Sequence, residues 1–129
     1  LLANAVKFTT RGSVTVTLGC TTEATEGRPE LLGGIYVRVT DTGPGIPAAE
    51  QARIFDPFVR LEPARNLHVP GVGLGLSLVN DLVDNLGGVV RVRSEVDVGT
   101  TFDVLFPRII PTPDVPGEAP NSVPEPRDR

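Results

Sequence analysis

The chain of 129 residues has no methionine or tryptophan, and it has one cysteine and one histidine. A lone thiol excludes an internal disulfide, and Cys20 with His68 is too small a set for a zinc site. No apolar run approaches the ~20 residues that a membrane-spanning helix needs. Acidic side chains outnumber basic ones by 16 to 12, and the net charge of -4 argues against nucleic acid or a direct membrane contact as partners.

The ends of the chain differ in character from its middle. Residues 107–129 hold seven of the 13 prolines, which disfavours both helices and strands. We therefore expect one domain over residues 1–107 and a disordered, proline-rich tail or linker over 108–129. Residues 1–8 resemble a helix in mid-course without an N-cap, which predicts that the chain is a piece of a longer protein.

Four segments have the pattern of β-strands. Alternating β-branched residues predict strands over 14–18 and 35–41, and a second pair over 89–94 and 100–106. Within the last strand Thr100 shares its side with the apolar residues that follow at every second position. Strands joined by short connections pair as hairpins.

Three segments have the pattern of helices. The first is residues 1–8, and the second is a short helix from Pro47 to Phe55 with proline in its first turn. The third is an amphipathic helix that follows Gly75 and ends at Gly87 and Gly88. A leucine recurs at every fourth position along this segment, namely at Leu74, Leu78, Leu82 and Leu86. Together these elements predict an α+β fold, a two-layer sandwich in which helices cover one face of a mixed sheet.

The first candidate site lies where the second strand ends. Asp41 has the same parity as Val37 and Val39, so its carboxylate should point to the buried side. A buried carboxylate needs hydrogen-bond donors, and an exocyclic amine is one. Gly43 and Gly45 would let the backbone approach a flat ligand. Alternatively, Asp-Thr-Gly is a turn that only caps a loop.

Two further patterns suggest phosphate and metal chemistry. The segment 71–76 places three glycines before the amphipathic helix, where free N–H groups and the helix dipole favour phosphate. It is neither a dinucleotide fingerprint nor a P-loop. Asn4 and Lys7 lie on one helical face, and an amide oxygen can share Mg²⁺ with nucleotide phosphates. A solvated polar face is the alternative.

In this order, these motifs resemble the ATP-binding catalytic domain of sensor histidine kinases, within the GHKL ATPase superfamily of gyrase, Hsp90 and MutL. The resemblance covers essentially everything before Pro107 and implies a Bergerat-type ATP-binding fold. The segments that carry it are similar to the N box, the G1 box, the F box, the G2 box and the closing G-T-x-F segment, here residues 1–9, 41–46, 55–58, 71–76 and 99–102.

The resemblance implies a role for each matching residue. Asn4 would coordinate Mg²⁺, Lys7 would reach phosphate and Phe8 would lie near the base. Asp41 would accept from the adenine amino group, supported by Thr100 through its hydroxyl or a water. The remaining residues expected to contact the nucleotide belong either to the base pocket or to the ATP lid, its hinge and the glycine cradle. In the base pocket they are Gly43, Gly45 and Ile46. In the lid, hinge and cradle they are Arg60, Arg65, Gly71, Gly73, Leu74, Gly75 and Leu76.

Three departures from the family pattern accompany the resemblance. The first asparagine of the N box would precede Leu1, and the first strand and most of the first helix are missing, as in a truncated domain. Val72 stands where the G2 box usually has threonine, which removes a hydroxyl that helps to set the lid. His68 is expected to be a surface residue, and Cys20 a packing or loop thiol.

The implied function is phosphoryl transfer from ATP with Mg²⁺ to a histidine on a separate dimerisation domain, and from there to a response-regulator receiver domain. Both domains would lie outside this chain, as would the segments that form a homodimer. The location would be cytoplasmic, and the chain alone would be inactive. One alternative is a nucleotide-binding regulatory module without phosphotransfer. A remote alternative is an aspartic protease, from the Asp-Thr-Gly signature of residues 41–43.

Overall fold

A computed structural model describes residues 1–23, 25–59 and 75–108 of the chain. The helices are α1, Leu2–Phe8; α2, Ala48–Gln51; and α3, Gly75–Asn85. The strands are β1, Val14–Cys20; β2, Ile35–Asp41; β3, Val89–Glu95; and β4, Gly99–Phe106. A 3₁₀ turn, Pro29–Leu31, interrupts the connection from β1 to β2. These elements follow the predicted order, and they confirm the α+β class.

The four strands form one sheet in the order β1-β2-β4-β3. All three pairings are antiparallel, so the prediction of a mixed sheet is wrong for the described strands. The physical reason is the position of β4. β2 and β3 run in the same direction, and β4 lies between them and runs in the opposite direction. No two neighbouring strands of the described sheet are therefore parallel.

The helices pack against one face of the sheet, which holds Val39, Phe102 and Val104, each of them buried. The predicted inward direction of Asp41 and the predicted side of Thr100 are both confirmed, because the register places them on this face. The opposite face is mostly polar, although Leu105 is buried there. There Asp103 accepts hydrogen bonds from the guanidinium groups of two arginines on the neighbouring strands, Arg38 and Arg93.

α2 is shorter than the predicted helix from Pro47 to Phe55. It ends at Gln51, and the chain continues through tight turns that include a hydrogen bond of 2.9 Å from Arg53 N to Glu50 O. This change of course brings Ile54 into the core and sets Phe55 edge-on to Phe102, with ring centroids 6.3 Å apart. A buried Ile54 and an aromatic contact with β4 thus take the place of a longer helix.

α3 has the predicted amphipathic pattern, but the leucine stripe is not its buried side. Leu78, Leu82 and Leu86 are each more than half exposed, whereas Val83 and Ser77 are buried. α3 contacts β3, and its buried residues lie beside the stripe rather than in it. Among the described residues, no helix has the length and apolar character that crossing a membrane requires.

Candidate functional site

The Asp41 carboxylate lies at the end of β2, in the second strand of the sheet. Only 9% of the residue is exposed. Its Oδ1 accepts a hydrogen bond of 2.8 Å from the Gly43 N–H, two residues further along the chain. Among the described residues, no other group of the protein donates a hydrogen bond to this carboxylate. The expected Asp-Thr-Gly turn therefore forms, and its Gly43 N–H binds one of the two carboxylate oxygens of Asp41.

A row of polar side chains continues from Asp41 across the sheet. Thr100 on β4 pairs with Asp41, and Ser94 on β3 pairs with Thr100. All three lie on the helix-covered face. Thr100 is 6% exposed, and its Oγ1 lies 2.8 Å from Ser94 Oγ. The centre of the site is thus a carboxylate and two hydroxyl groups on three adjacent strands.

The G1 segment packs tightly against the turn between β3 and β4. Asp97 N donates to Pro44 O at 2.9 Å, and Ile46 N donates to Ser94 Oγ at 2.8 Å. A Cβ atom at Gly45 would lie 2.0 Å from Glu95 O, so any side chain there would collide with the backbone. Gly45 is therefore needed for the contact between the two turns.

The carboxyl end of α1 lies beside the same turn. A Cβ atom at Gly43 would be 2.9 Å from Asp41 Oδ1, 3.2 Å from Thr9 Oγ1 and 3.4 Å from Phe8 O. Gly43 therefore separates the carboxylate from the end of α1. Thr9 Oγ1 is buried, and it has no hydrogen-bond partner among the described residues.

The other sequence-predicted residues of α1 precede this contact. Asn4 and Phe8 are half-buried and Lys7 is exposed. The Lys7 ammonium nitrogen lies 5.6 Å from the centroid of the Phe8 ring, within the range of a cation–π contact. α1 thus carries an amide, an ammonium and an aromatic ring, and its carboxyl end lies beside the turn at Gly43.

The structure brings Asp41, Gly43, Gly45, Ile46 and Thr100 close together, and their roles toward a nucleotide stay predictions. Gly75 and Leu76 form the beginning of α3, with Gly75 exposed and Leu76 half-buried. Several predicted lid and cradle residues, together with His68 and Val72, lie outside the described residues, namely Arg60, Arg65, Gly71, Gly73 and Leu74. Cys20 is an exposed free thiol at the end of β1.

Two residues of the site were missed by the sequence reasoning. The first is Ser94, whose place could have been found by counting outward from the β3–β4 turn to the partner of Thr100. The second is Gln51, whose side-chain amide donates to Ile46 O and to Ser94 O, both at 2.9 Å. No sequence signal distinguishes Gln51 from any other polar residue of a short helix.

The donor set at α1 fits a magnesium ion that is shared with a nucleotide. In the part of the chain that the structure describes, no cluster of three or more His, Cys, Asp or Glu residues is arranged to hold a metal. A protein-only cage is thus not offered there. The Asn4 amide oxygen is a hard ligand on α1, whose carboxyl end lies beside Gly43, and Mg²⁺ commonly takes few protein oxygens together with phosphate oxygens.

Gly45→Ala should disrupt the site far more than the matched substitution Gly27→Ala. Both glycines have φ of 71°, so each substitution strains the backbone by about 1–2 kcal/mol. A Cβ at Gly27 meets nothing within 4 Å, whereas one at Gly45 meets Glu95 O. We expect urea denaturation to show a larger loss of stability for Gly45→Ala, with a loss of adenine nucleotide affinity. Equal losses for the two variants would contradict the packing role of Gly45.

Comparison with known proteins places the chain in a family. Residues 1–110 match the model of the histidine kinase-, DNA gyrase B- and HSP90-like ATPases. The chain is 39% identical over 117 residues to the autoinducer 2 sensor kinase/phosphatase LuxQ of Vibrio cholerae, a match that covers 90% of this chain and 13% of LuxQ. It therefore spans about an eighth of that relative.

Solved structures agree with the family match. Full-length ShkA in complex with AMPPNP superposes with a TM-score of 0.61 at 34% identity, over 85% of this chain and 21% of ShkA. The mycobacterial sensor histidine kinase MprB gives a TM-score of 0.63 at 32% identity, over 82% of this chain and 64% of the other. Because the matched family consists of ATPases, the match argues against the hypothesis of an aspartic protease. The chain belongs to the histidine kinase-, DNA gyrase B- and HSP90-like ATPases, as an ATP-binding catalytic domain of the sensor histidine kinase type.

Proposed function

We propose that this domain binds ATP with Mg²⁺, places the adenine against Asp41, and presents the γ-phosphate to a histidine on a separate dimerisation domain. The observation that carries the proposal is the buried Asp41 carboxylate, one oxygen of which is bound by the Gly43 N–H. Among the described residues the carboxylate receives no second donor, and the exocyclic amine of adenine is suitable for that place.

The residues of α1 would act on the phosphate end of the nucleotide. The Asn4 amide oxygen would hold Mg²⁺, and the Lys7 ammonium would pair with phosphate oxygens. Bound Mg²⁺ would neutralise the charge on the β- and γ-phosphate oxygens. Phe8, next to Lys7, would supply an apolar surface near the adenine base. The predicted contacts of the lid and the glycine cradle, including Arg60 and Arg65, complete this proposal.

The reaction would be a transfer of one phosphoryl group. A nitrogen of the acceptor imidazole would form a bond to the γ-phosphorus as the bond to the β,γ-bridging oxygen breaks, leaving ADP. Catalysis of this kind depends mainly on positioning and on charge neutralisation. The residues described above bind and orient ATP, whereas the acceptor histidine would come from another domain.

The partners of the domain are proposed from the relatives. LuxQ bears the description of a sensor kinase/phosphatase, and the present chain covers only 13% of it. We propose that the dimerisation domain, the receiver domain that takes the phosphate next, and the contacts of a homodimer belong to other segments or chains. The isolated domain would then bind nucleotide without transferring phosphate, and its location would be cytoplasmic.

Asp41→Asn should weaken ATP binding about ten-fold or more. The substitution turns part of the acceptor into a donor that faces the adenine amine, at a cost of roughly 1–3 kcal/mol. The matched control is Asp84→Asn, which removes an exposed carboxylate from α3. Isothermal titration with ATP should show the loss only for Asp41→Asn, and equal affinities for both variants would remove Asp41 from the site.

Asn4→Ala should reduce phosphotransfer more than it reduces ADP binding, because Mg²⁺ chiefly serves the β- and γ-phosphate oxygens. The measurement uses a longer chain that carries both this domain and the histidine acceptor. Asn80→Ala, on the exposed side of α3, is the control and should leave both quantities unchanged.

Two results would count against the phosphotransfer proposal. Identical losses of phosphotransfer and ADP binding in Asn4→Ala would contradict the metal role of Asn4. ATP binding without transfer to any histidine acceptor would instead favour the alternative, a nucleotide-binding regulatory module.

A further inference from the structure

The Ser94 hydroxyl makes three contacts whose chemistry fixes the position of its proton. Ile46 N lies 2.8 Å away and can only donate, whereas Gly99 O lies 2.9 Å away and can only accept. Thr100 Oγ1, at 2.8 Å, can do either. A hydroxyl group has one proton and two acceptor lone pairs.

One arrangement turns all three contacts into hydrogen bonds. The Ser94 hydroxyl donates its proton to Gly99 O and accepts from Ile46 N and from the Thr100 hydroxyl. If Ser94 donated to Thr100 instead, the contact with Gly99 O would have no proton. Because Gly99 and Thr100 are both buried, the arrangement that satisfies every contact is favoured.

This arrangement turns the Thr100 proton away from Asp41. The oxygen lone pairs of Thr100 are then left for a ligand, next to the carboxylate with which Thr100 is paired across β2 and β4. Asp41 and Thr100 would therefore present acceptors and no proton. A ligand must bring donors to such a pair, and the –NH₂ group of adenine carries two. The oxygen at the same position of hypoxanthine or guanine carries none.

We propose that Ser94 is a positioning residue that determines the specificity for the base. It orients the Thr100 hydroxyl so that Asp41 and Thr100 together accept from an exocyclic amine and reject a carbonyl oxygen. Gln51 holds the backbone on which this depends, because its amide donates to both Ile46 O and Ser94 O. The inference rests on the proposed binding of adenine at Asp41.

The test compares the affinities of ATP and inosine triphosphate, which differ at the group that faces this pair. In Ser94→Ala the Thr100 proton is free to rotate toward a ligand oxygen. We expect the preference for ATP over inosine triphosphate to fall roughly three- to ten-fold. Ser94→Thr keeps a hydroxyl and should restore the preference. A purely structural role of Ser94 would lower both affinities together and leave their ratio unchanged, which would overturn the inference.

Thr100→Val provides a second test that does not require Ser94→Ala to fold. Valine has the shape of threonine but no hydroxyl. If Thr100 acts only as an acceptor, this substitution should weaken ATP binding and leave the affinity for inosine triphosphate unchanged. Selective weakening of inosine triphosphate binding would show that Thr100 donates a proton to the base, and equal weakening of both would show that Thr100 does not distinguish an amine from a carbonyl oxygen. Either result would contradict the proposed orientation.

Binding measurements on the unsubstituted domain distinguish a failure of the proposed function from a failure of the inference about Ser94. If it binds neither nucleotide, the proposed function fails, and the inference about Ser94 fails with it. If it binds ATP and inosine triphosphate equally well, ATP binding stands and the specificity role of Ser94 is wrong.

Discussion

Burying the Asp41 carboxylate at the end of a sheet strand costs free energy unless hydrogen-bond donors meet it. The fold supplies one such donor, the N–H of Gly43, because the chain turns sharply directly after β2. This turn needs glycine where the end of α1 comes close, and again where it meets the β3–β4 turn. The position of one carboxylate therefore constrains α1, the G1 segment and the hairpin of the last two strands.

Because β4 lies between β2 and β3, the site extends over three adjacent strands of the sheet. Asp41, Thr100 and Ser94 come from strands that are adjacent in the sheet although β2 is distant from the other two in the chain. Because each pairing is in register, the three polar groups lie side by side on the face that the helices cover. A flat ligand can then contact one row of side chains, while on the opposite face Asp103 is bound by Arg38 and Arg93 within the sheet.

Much of this arrangement follows from local patterns in the sequence. The alternation in β2 and β4 correctly predicts that Asp41 and Thr100 point inward, because side-chain direction in a strand follows from counting residues. The contribution of Ser94 needs the register of the hairpin as well, and that of Gln51 needs the tertiary contact between α2 and β3. The buried side of α3 was not evident either, since a leucine stripe indicates an apolar surface without showing what covers it.

The central claim is that adenine nucleotides bind at the Asp41 end of the helix-covered face. An NMR titration of the ¹⁵N-labelled domain with Mg·ADP measures this directly, residue by residue. We predict that the amide signals of Gly43, Ile46 and Thr100 shift as nucleotide is added, while those of Gly19 and Cys20, at the other end of the β1–β2 pairing, stay in place. Shifts confined to that other end, or no shift at Gly43 and Thr100 at saturating nucleotide, would contradict this binding site.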